Sequence, residues 1–239
     1  MDAPLRDRCQ ANLAAIRGRI AAACRRAGRS ADEVRLIAVT KYVDASVARV
    51  MAECGCLDLA ESRPQQLWDR AAALSDVSPA VRWHLIGHLQ RNKVRRTLPV
   101  VSLVQTLDSE RLLAALETEA RVTGRTCDVL VEVNVSPDPE RSGAKPADVP
   151  ALVSAVARSP HVRLRGVMGM ASHPDSPAAD ARRDFARLRD IRDGLTADAP
   201  ADALRELSMG MSGDFEAAVL EGSTMLRIGS ALFEGLPGA

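Results

Sequence analysis

Near its beginning the chain reads Val34-Arg35-Leu36-Ile37-Ala38-Val39-Thr40-Lys41, a short apolar run that ends in a lysine. An apolar run of this length is typical of a strand buried in a parallel sheet. A lysine at the C-terminal end of such a strand can form a Schiff base with an aldehyde. Taken alone, a lysine at a strand end is more typical of a solvated terminus. The chemical reading of Lys41 therefore depends on what the rest of the chain brings to the same edge.

Two Gly/Ser turns much further along the chain supply the second half of that argument. They read Ser208-Met209-Gly210-Met211-Ser212-Gly213-Asp214 and Arg227-Ile228-Gly229-Ser230. Turns that open helices present unpaired backbone N–H groups, which bind phosphate well. An amine and an anion cradle on one rim fit a ligand that carries both an aldehyde and a phosphate, and pyridoxal 5′-phosphate is such a ligand.

The pattern along the whole chain favours an α/β fold. An amphipathic helix from Leu5 to Ala27 opens the chain, and short apolar runs then alternate with helical stretches, as expected for parallel strands joined by helices. The predicted strands are Leu36–Lys41, Asp58–Glu61, Trp83–Gly87, Leu103–Leu107, Asp128–Val135, Arg165–Met170, Glu206–Met209 and Met225–Ile228. Eight such units predict a small (β/α)8 TIM barrel with an extra N-terminal helix. A doubly wound open sheet is the alternative, because periodicity does not give strand order.

We expect one domain over residues 1–239. Pro/Asp-rich stretches at Ser136–Lys145, His173–Ala179 and Ala197–Ala203 are each short enough to be loops between a strand and a helix. The hydrophobic content of 46% is sufficient for a well-buried core at this length. A monomer is the expected state, since no second domain is evident.

Composition also narrows the class of partner. The formal charge of +1 and only six aromatic residues give neither the charge footprint nor the stacking surface of a nucleic-acid-binding protein. We find no apolar stretch long enough to span a membrane. Five cysteines without a secretory leader indicate free thiols in a reducing cytoplasm. The four histidines lack zinc-site spacing, so no metal is expected.

Four spaced motifs carry a family resemblance. They are Ile37-Ala38-Val39-Thr40-Lys41, Trp83-His84-Leu85-Ile86-Gly87-His88-Leu89-Gln90-Arg91-Asn92-Lys93, Leu207-Ser208-Met209-Gly210-Met211-Ser212-Gly213-Asp214-Phe215-Glu216-Ala217-Ala218 and Arg227-Ile228-Gly229-Ser230-Ala231-Leu232-Phe233. In this order they resemble the pyridoxal 5′-phosphate homeostasis protein family. The resemblance implies a barrel like the N-terminal domain of alanine racemase, with pyridoxal phosphate held as an aldimine on the lysine that matches Lys41.

The resemblance also assigns the other contacts. It implies that Ser212, Gly229 and Ser230 grip the phosphate and that Arg227 lies near the pyridine nitrogen. The chain departs from the family pattern at Ser62, where relatives usually have an asparagine, so a contact made by that amide is in doubt. Ser230 replaces the usual threonine and keeps the hydroxyl.

The expected function is a carrier: a protein that stores, buffers or delivers the cofactor to apo-forms of other enzymes, without its own turnover. The enzymatic alternative is an amino-acid racemase. Such an enzyme needs a second base opposite the lysine, and Tyr42, the only tyrosine, would face away from Lys41 if the strand continued. A third alternative is a barrel scaffold without cofactor. For His84 we expect a supporting or packing role rather than catalysis.

Overall fold

The computed structural model describes residues 3–136, 138, 141–173, 175, 180–195 and 203–236. Within them, eight parallel strands form a closed barrel in which each strand pairs with the next along the chain. The strands are β1 (Arg35–Val39), β2 (Asp58–Glu61), β3 (Arg82–Leu85), β4 (Leu103–Leu107), β5 (Cys127–Glu132), β6 (Val162–Met168), β7 (Glu206–Ser208) and β8 (Met225–Ile228). The predicted (β/α)8 barrel is confirmed.

Helices cover the outside of the barrel. They are α1 (Ala3–Arg26), α2 (Ala45–Glu53), α3 (Pro64–Ala73), α4 (Val94–Thr97), α5 (Glu110–Thr123), α6 (Val149–Ala157), α7 (Ala181–Leu195), α8 (Phe215–Leu220) and α9 (Ser230–Phe233). Parts of the three predicted loops, at 137, 139–140, 174, 176–179 and 197–202, lie outside the described residues.

The doubly wound alternative is wrong because β1 pairs with β8 along its length. Arg35 aligns with Met225 and Ala38 aligns with Ile228, so the sheet closes and has no free edge. The extra helix α1 packs against α2, α8 and α9, which follow β1, β7 and β8. Its Asn12 amide donates to the Leu232 carbonyl at 3.0 Å. The N-terminal helix therefore stabilises the region in which the barrel closes.

The first strand is shorter than predicted. It ends at Val39, whereas the sequence predicted a strand through Lys41. Thr40 still donates its backbone N–H to Ala60 at 3.0 Å, but Val43 then donates to Thr40 and closes a turn. Hydrogen bonding within this turn replaces the ladder, so Lys41 lies just beyond the strand, at the C-terminal rim of the barrel.

Side chains inside the barrel alternate with those that face the helices. The inner apolar cluster contains Ile37, Val39, Ala60, Leu103, Leu130, Met168 and Met225. Lys41 continues the odd-numbered series of Ile37 and Val39, and Arg227 follows Met225 by two residues. Because alternate residues of a strand share a face, Arg227 belongs to the interior series. Lys41 lies in the turn just beyond β1, and its position is given by the cavity that it lines.

Two further properties concern the described part of the chain. None of its helices combines the length and the apolar character needed to cross a membrane. Its His, Cys, Asp and Glu side chains form no group of three or more arranged to share a metal ion.

The five cysteines are free thiols, four of them buried, and burial raises the pKa of Cys56 and Cys127 to about 12. These buried thiols are poor nucleophiles and contribute to packing.

Candidate functional site

A cavity of about 350 Å³ opens at the C-terminal ends of the strands. Its lining includes all five residues that the sequence suggested for binding, namely Lys41, Ser212, Arg227, Gly229 and Ser230. They come from β8 and from the segments that follow β1, β7 and β8, which are separated along the chain and adjacent in the closed barrel. Functional sites of TIM barrels lie at this end, and the volume is within the usual range for small-molecule pockets.

Lys41 lies on one wall of this cavity, next to Tyr42. Its ammonium nitrogen is 4.7 Å from the centre of the Tyr42 ring, which is 74% exposed. The sequence argument that Tyr42 faces away from Lys41 assumed a continuing strand, and that assumption is wrong because β1 ends at Val39. Tyr42 instead lines the same cavity, beside the lysine.

A buried acidic group lies close to Lys41. Glu61, at the end of β2, accepts a hydrogen bond from the Thr40 hydroxyl at 2.6 Å, and Arg70 Nε lies 3.5 Å from the same oxygen. Burial raises the pKa of Glu61, while the Thr40 hydrogen bond and the charges of Arg70 and Lys41 oppose that shift. The second carboxylate oxygen is buried and has no hydrogen-bond partner among the residues that the structure describes.

The turn after β7 contacts the start of α9. The Ser212 hydroxyl accepts hydrogen bonds from the backbone N–H groups of Gly229 and Ala231, each at 3.3 Å. Asp214 supports the same turn by accepting the Met211 N–H at 2.6 Å. This geometry joins the two Gly/Ser turns that the sequence singled out and leaves the Ser212 proton free to donate elsewhere.

Arg227 is buried at the bottom of the cavity. It donates from Nη1 to the Ser208 hydroxyl at 2.7 Å and from Nη2 to the Gly169 carbonyl at 3.0 Å. Burial lowers the pKa of Arg227 to about 10, and the charges of Glu132 and Asp214 oppose that shift. The side chain therefore remains a cation near pH 7. Both of its hydrogen bonds are accepted by neutral oxygens. An arginine with a purely structural role at a strand end would instead pair with a carboxylate.

Ser62, the departure from the family pattern, also lines the cavity. Its backbone lies against Gly87, two residues beyond the end of β3, because a Cβ built at Gly87 would be 2.1 Å from the Ser62 carbonyl oxygen. The position is therefore held by backbone packing, whatever its side chain.

These features fit a ligand with an aldehyde, an aromatic ring nitrogen and a phosphate. Lys41 supplies a primary amine, and Arg227 supplies a buried donor that has no acceptor atoms. The Ser212 and Ser230 hydroxyls lie at a helix start, where anions bind. The donors come from β8 and from the segments after β1, β7 and β8, and they line one cavity, as a ligand with three distinct polar groups requires.

Comparison with known proteins supports the same kind of ligand. A family model described as the alanine racemase N-terminal domain matches residues 11–237. The pyridoxal phosphate homeostasis protein of Aquifex aeolicus is 36% identical over 92% of this chain and 95% of its own. The chain belongs to the pyridoxal phosphate homeostasis protein family. The predicted resemblance is thereby confirmed.

Solved structures agree with this assignment. A protein from Bifidobacterium adolescentis superposes with a TM-score of 0.88 and 34% identity, covering 98% of this chain and 97% of that one. PipY of Synechococcus elongatus PCC7942, a structure with pyridoxal phosphate bound, gives a TM-score of 0.82 and 32% identity, covering 94% of this chain and 99% of PipY. This chain and both of these structures therefore share the whole barrel.

Proposed function

We propose that this protein binds pyridoxal 5′-phosphate through Lys41 and serves vitamin B6 homeostasis in the cytoplasm by storing, buffering or delivering the cofactor. The observation that carries the proposal is the cavity at the C-terminal rim, which combines Lys41, Arg227 and the turn of Ser212. Membership of the family and the cofactor bound to PipY support it. We further propose that the protein acts as a monomer and that apo-forms of cofactor-dependent enzymes receive the cofactor.

The lysine wall supplies the reactive amine. When bound, the cofactor supplies an aldehyde that reacts with a primary amine. Lys41 must lose its ammonium proton to act as a nucleophile. The Tyr42 ring attracts the charged form of the amine and holds it at the cavity wall. Glu61 adds a negative charge on the same side of the cavity when it is ionised.

The opposite side would hold the phosphate and the ring. Ser212 and Ser230 would donate hydroxyl protons to the phosphate, at a position where Ser212 is already fixed by two backbone N–H groups. Arg227 would donate to the ring nitrogen, and since a guanidinium has no acceptor it would disfavour a protonated ring. Arg227 would thereby keep the bound cofactor a weaker electron sink.

The decisive experiment is the absorbance spectrum of the purified protein after addition of pyridoxal phosphate, followed by borohydride reduction and peptide mass analysis. We expect a new visible band and a pyridoxyl mass on the peptide that contains Lys41. A colourless protein without a reducible adduct would support the cofactor-free scaffold instead. An adduct together with rapid amino-acid racemisation would support an enzyme.

A further inference from the structure

An unbroken line of hydrogen bonds crosses the interior of the barrel below the cavity. Arg227 donates to the Ser208 hydroxyl at 2.7 Å, and Ser208 donates to Gln105 Oε1 at 2.7 Å. Gln105 Nε2 lies 3.0 Å from His84 Nδ1, and His84 Nε2 lies 2.9 Å from Asp58 Oδ1. All five side chains are buried. We call this line the interior chain.

The interior chain ends in a carboxylate at the opposite end of the barrel. Asp58 begins β2 and Arg82 begins β3, whereas Ser208 ends β7. Arg82 Nε donates to Asp58 at 2.9 Å from a side chain that is 53% exposed. Burial opposes the charge of Asp58, but hydrogen bonds from His84 and Arg82 outweigh it and hold its pKa well below the ordinary value. Asp58 is therefore an ionised acceptor.

The ionised Asp58 and a neutral His84 give every hydrogen bond of the interior chain one direction. Ionised Asp58 has only acceptors, so His84 donates from Nε2, and a neutral His84 then accepts at Nδ1. The Gln105 amide nitrogen must donate to Nδ1, which leaves Gln105 Oε1 to accept the Ser208 proton and Ser208 to accept from Arg227, which has only donors. Burial lowers the pKa of His84 despite its bond to Asp58, in agreement with the neutral form.

We propose that Gln105 and His84 are positioning residues that set the Arg227 guanidinium towards the cofactor. The amide orientation of Gln105 obliges the Ser208 proton to point at Gln105, which turns the Ser208 lone pair to Arg227. With Nη1 on Ser208 and Nη2 on Gly169, the guanidinium is fixed at two atoms. This role rests on the proposed function, because it assigns Arg227 to the ring of the cofactor. His84 and Gln105 therefore act on cofactor binding through Arg227, without contacting the cofactor themselves.

Two substitutions of nearly equal size separate positioning from packing. In Gln105→Glu, a carboxylate still accepts from Ser208, and its other oxygen obliges His84 Nδ1 to carry a proton. In Gln105→Met, the side chain keeps its volume and loses both hydrogen bonds. If Gln105 positions Arg227, the glutamate variant should keep cofactor binding better than the methionine variant does. If Gln105 only fills space, this buried site should tolerate the apolar methionine better. Gln10→Met, at an exposed site on α1, is the matched control.

Side-chain ¹⁵N NMR of the cofactor-free protein tests the direction of the chain. At pH 7.5 we expect the wild-type His84 to be protonated at Nε2 only, and Gln105→Glu to protonate Nδ1 as well. A wild-type His84 that carries its proton on Nδ1, or on both nitrogens, would overturn the proposal. This measurement does not depend on cofactor binding.

Titration with pyridoxal phosphate tests the consequence. We expect Gln105→Met to bind about 10-fold more weakly, the loss of one hydrogen bond to a charged group. Gln105→Glu and Gln10→Met should stay within about 3-fold of wild type, and thermal melts establish that each variant is folded. Equal losses in both Gln105 variants, or no loss in Gln105→Met, would overturn positioning while wild-type binding leaves the proposed function intact. Absence of binding by the wild type would instead overturn the proposed function and, with it, this role.

Discussion

The Ser212 hydroxyl lies 3.3 Å from the backbone nitrogen of Gly229 and accepts its hydrogen bond. It accepts a second one from Ala231, so two of the N–H groups at the start of α9 are already satisfied. The sequence interpretation treated Gly229 as a free donor to the phosphate. The geometry indicates that the Ser212 hydroxyl accepts hydrogen bonds from these two backbone groups. Its own proton then remains available to donate a hydrogen bond into the cavity.

This arrangement predicts unequal effects of the two serines on affinity. Hydrogen bonds to charged groups contribute about 1.5–3 kcal/mol, so Ser230→Ala should weaken binding of pyridoxal phosphate by roughly 10- to 150-fold. Ser212→Ala should cost less, because it releases the Gly229 and Ala231 N–H groups to bind the phosphate directly. Absorbance titration measures both. Unphosphorylated pyridoxal is the control, and equal losses for the two ligands would mean that the serines shape the cavity in general.

The second prediction concerns the covalent attachment site. The chain has three lysines, Lys41, Lys93 and Lys145, and among them only Lys41 lines the cavity. Lys41→Ala should therefore abolish the pyridoxyl adduct that is detected after borohydride reduction. Lys93→Ala, the matched control, should retain it. Peptide mass analysis reads the outcome. An adduct that persists on Lys93 or Lys145 would refute the assignment.

The third prediction addresses enzymatic turnover. Tyr42 lines the cavity, but its ring lies beside the Lys41 amine, so no base from this pair faces the lysine from across the cavity. A general base contributes about 10²- to 10⁴-fold, and the loaded protein should therefore racemise alanine no faster than free cofactor does. Chiral chromatography measures this rate. Rapid racemisation that disappears in Tyr42→Phe would contradict the carrier function and identify Tyr42 as the second base.

The barrel could be predicted from sequence because apolar runs alternate with helical stretches, and few topologies accommodate eight parallel βα units. Closure could not be predicted, since the pairing of β1 with β8 joins distant segments without a local signature. The end of β1 was missed because Lys41 continues an apolar pattern that the turn at Val43 interrupts. Periodicity describes which face a residue takes, and it does not detect where the ladder stops.

The candidate site, like the fold, could be predicted from the sequence only in part. Lys41 and the two Gly/Ser turns carry local signals, so the sequence found them. Asp58, Glu61 and Gln105 were missed, and the supporting role expected for His84 had no named partner, because these side chains meet their partners only in the folded barrel. One signal was present: Gln105 is a polar residue inside the apolar strand Leu103–Leu107, where a buried amide requires hydrogen-bond partners. Its partners could not be named without the fold.

The fourth prediction tests the backbone contact beneath Ser62. In Gly87→Ala, the new methyl group would meet the Ser62 carbonyl oxygen at 2.1 Å, so one backbone segment must shift. Overpacking of this kind costs about 1–3 kcal/mol, and the cofactor should also bind more weakly because Ser62 lines the cavity. The control is Gly18→Ala in α1, which meets no atom within 4 Å and should stabilise the protein by about 0.5–1 kcal/mol. Urea unfolding that ranks Gly87→Ala as the more stable variant would refute the contact.

The last prediction follows from the depressed pKa of Asp58. Hydrogen bonds from His84 and Arg82 stabilise its ionised form in the folded state, so the folded protein binds fewer protons at this site than the unfolded chain. The resulting stability is complete above the unfolded pKa of about 3.9 and is lost as the pH falls through the folded value. Asp58→Asn should cost about 1.5–3 kcal/mol at pH 7, since it removes a charged acceptor. It should also lose less stability than the wild type between pH 5 and pH 3, because asparagine does not titrate. Urea unfolding across this range gives the comparison, and parallel pH profiles for the two proteins would show that the pKa of Asp58 is not lowered in the folded barrel.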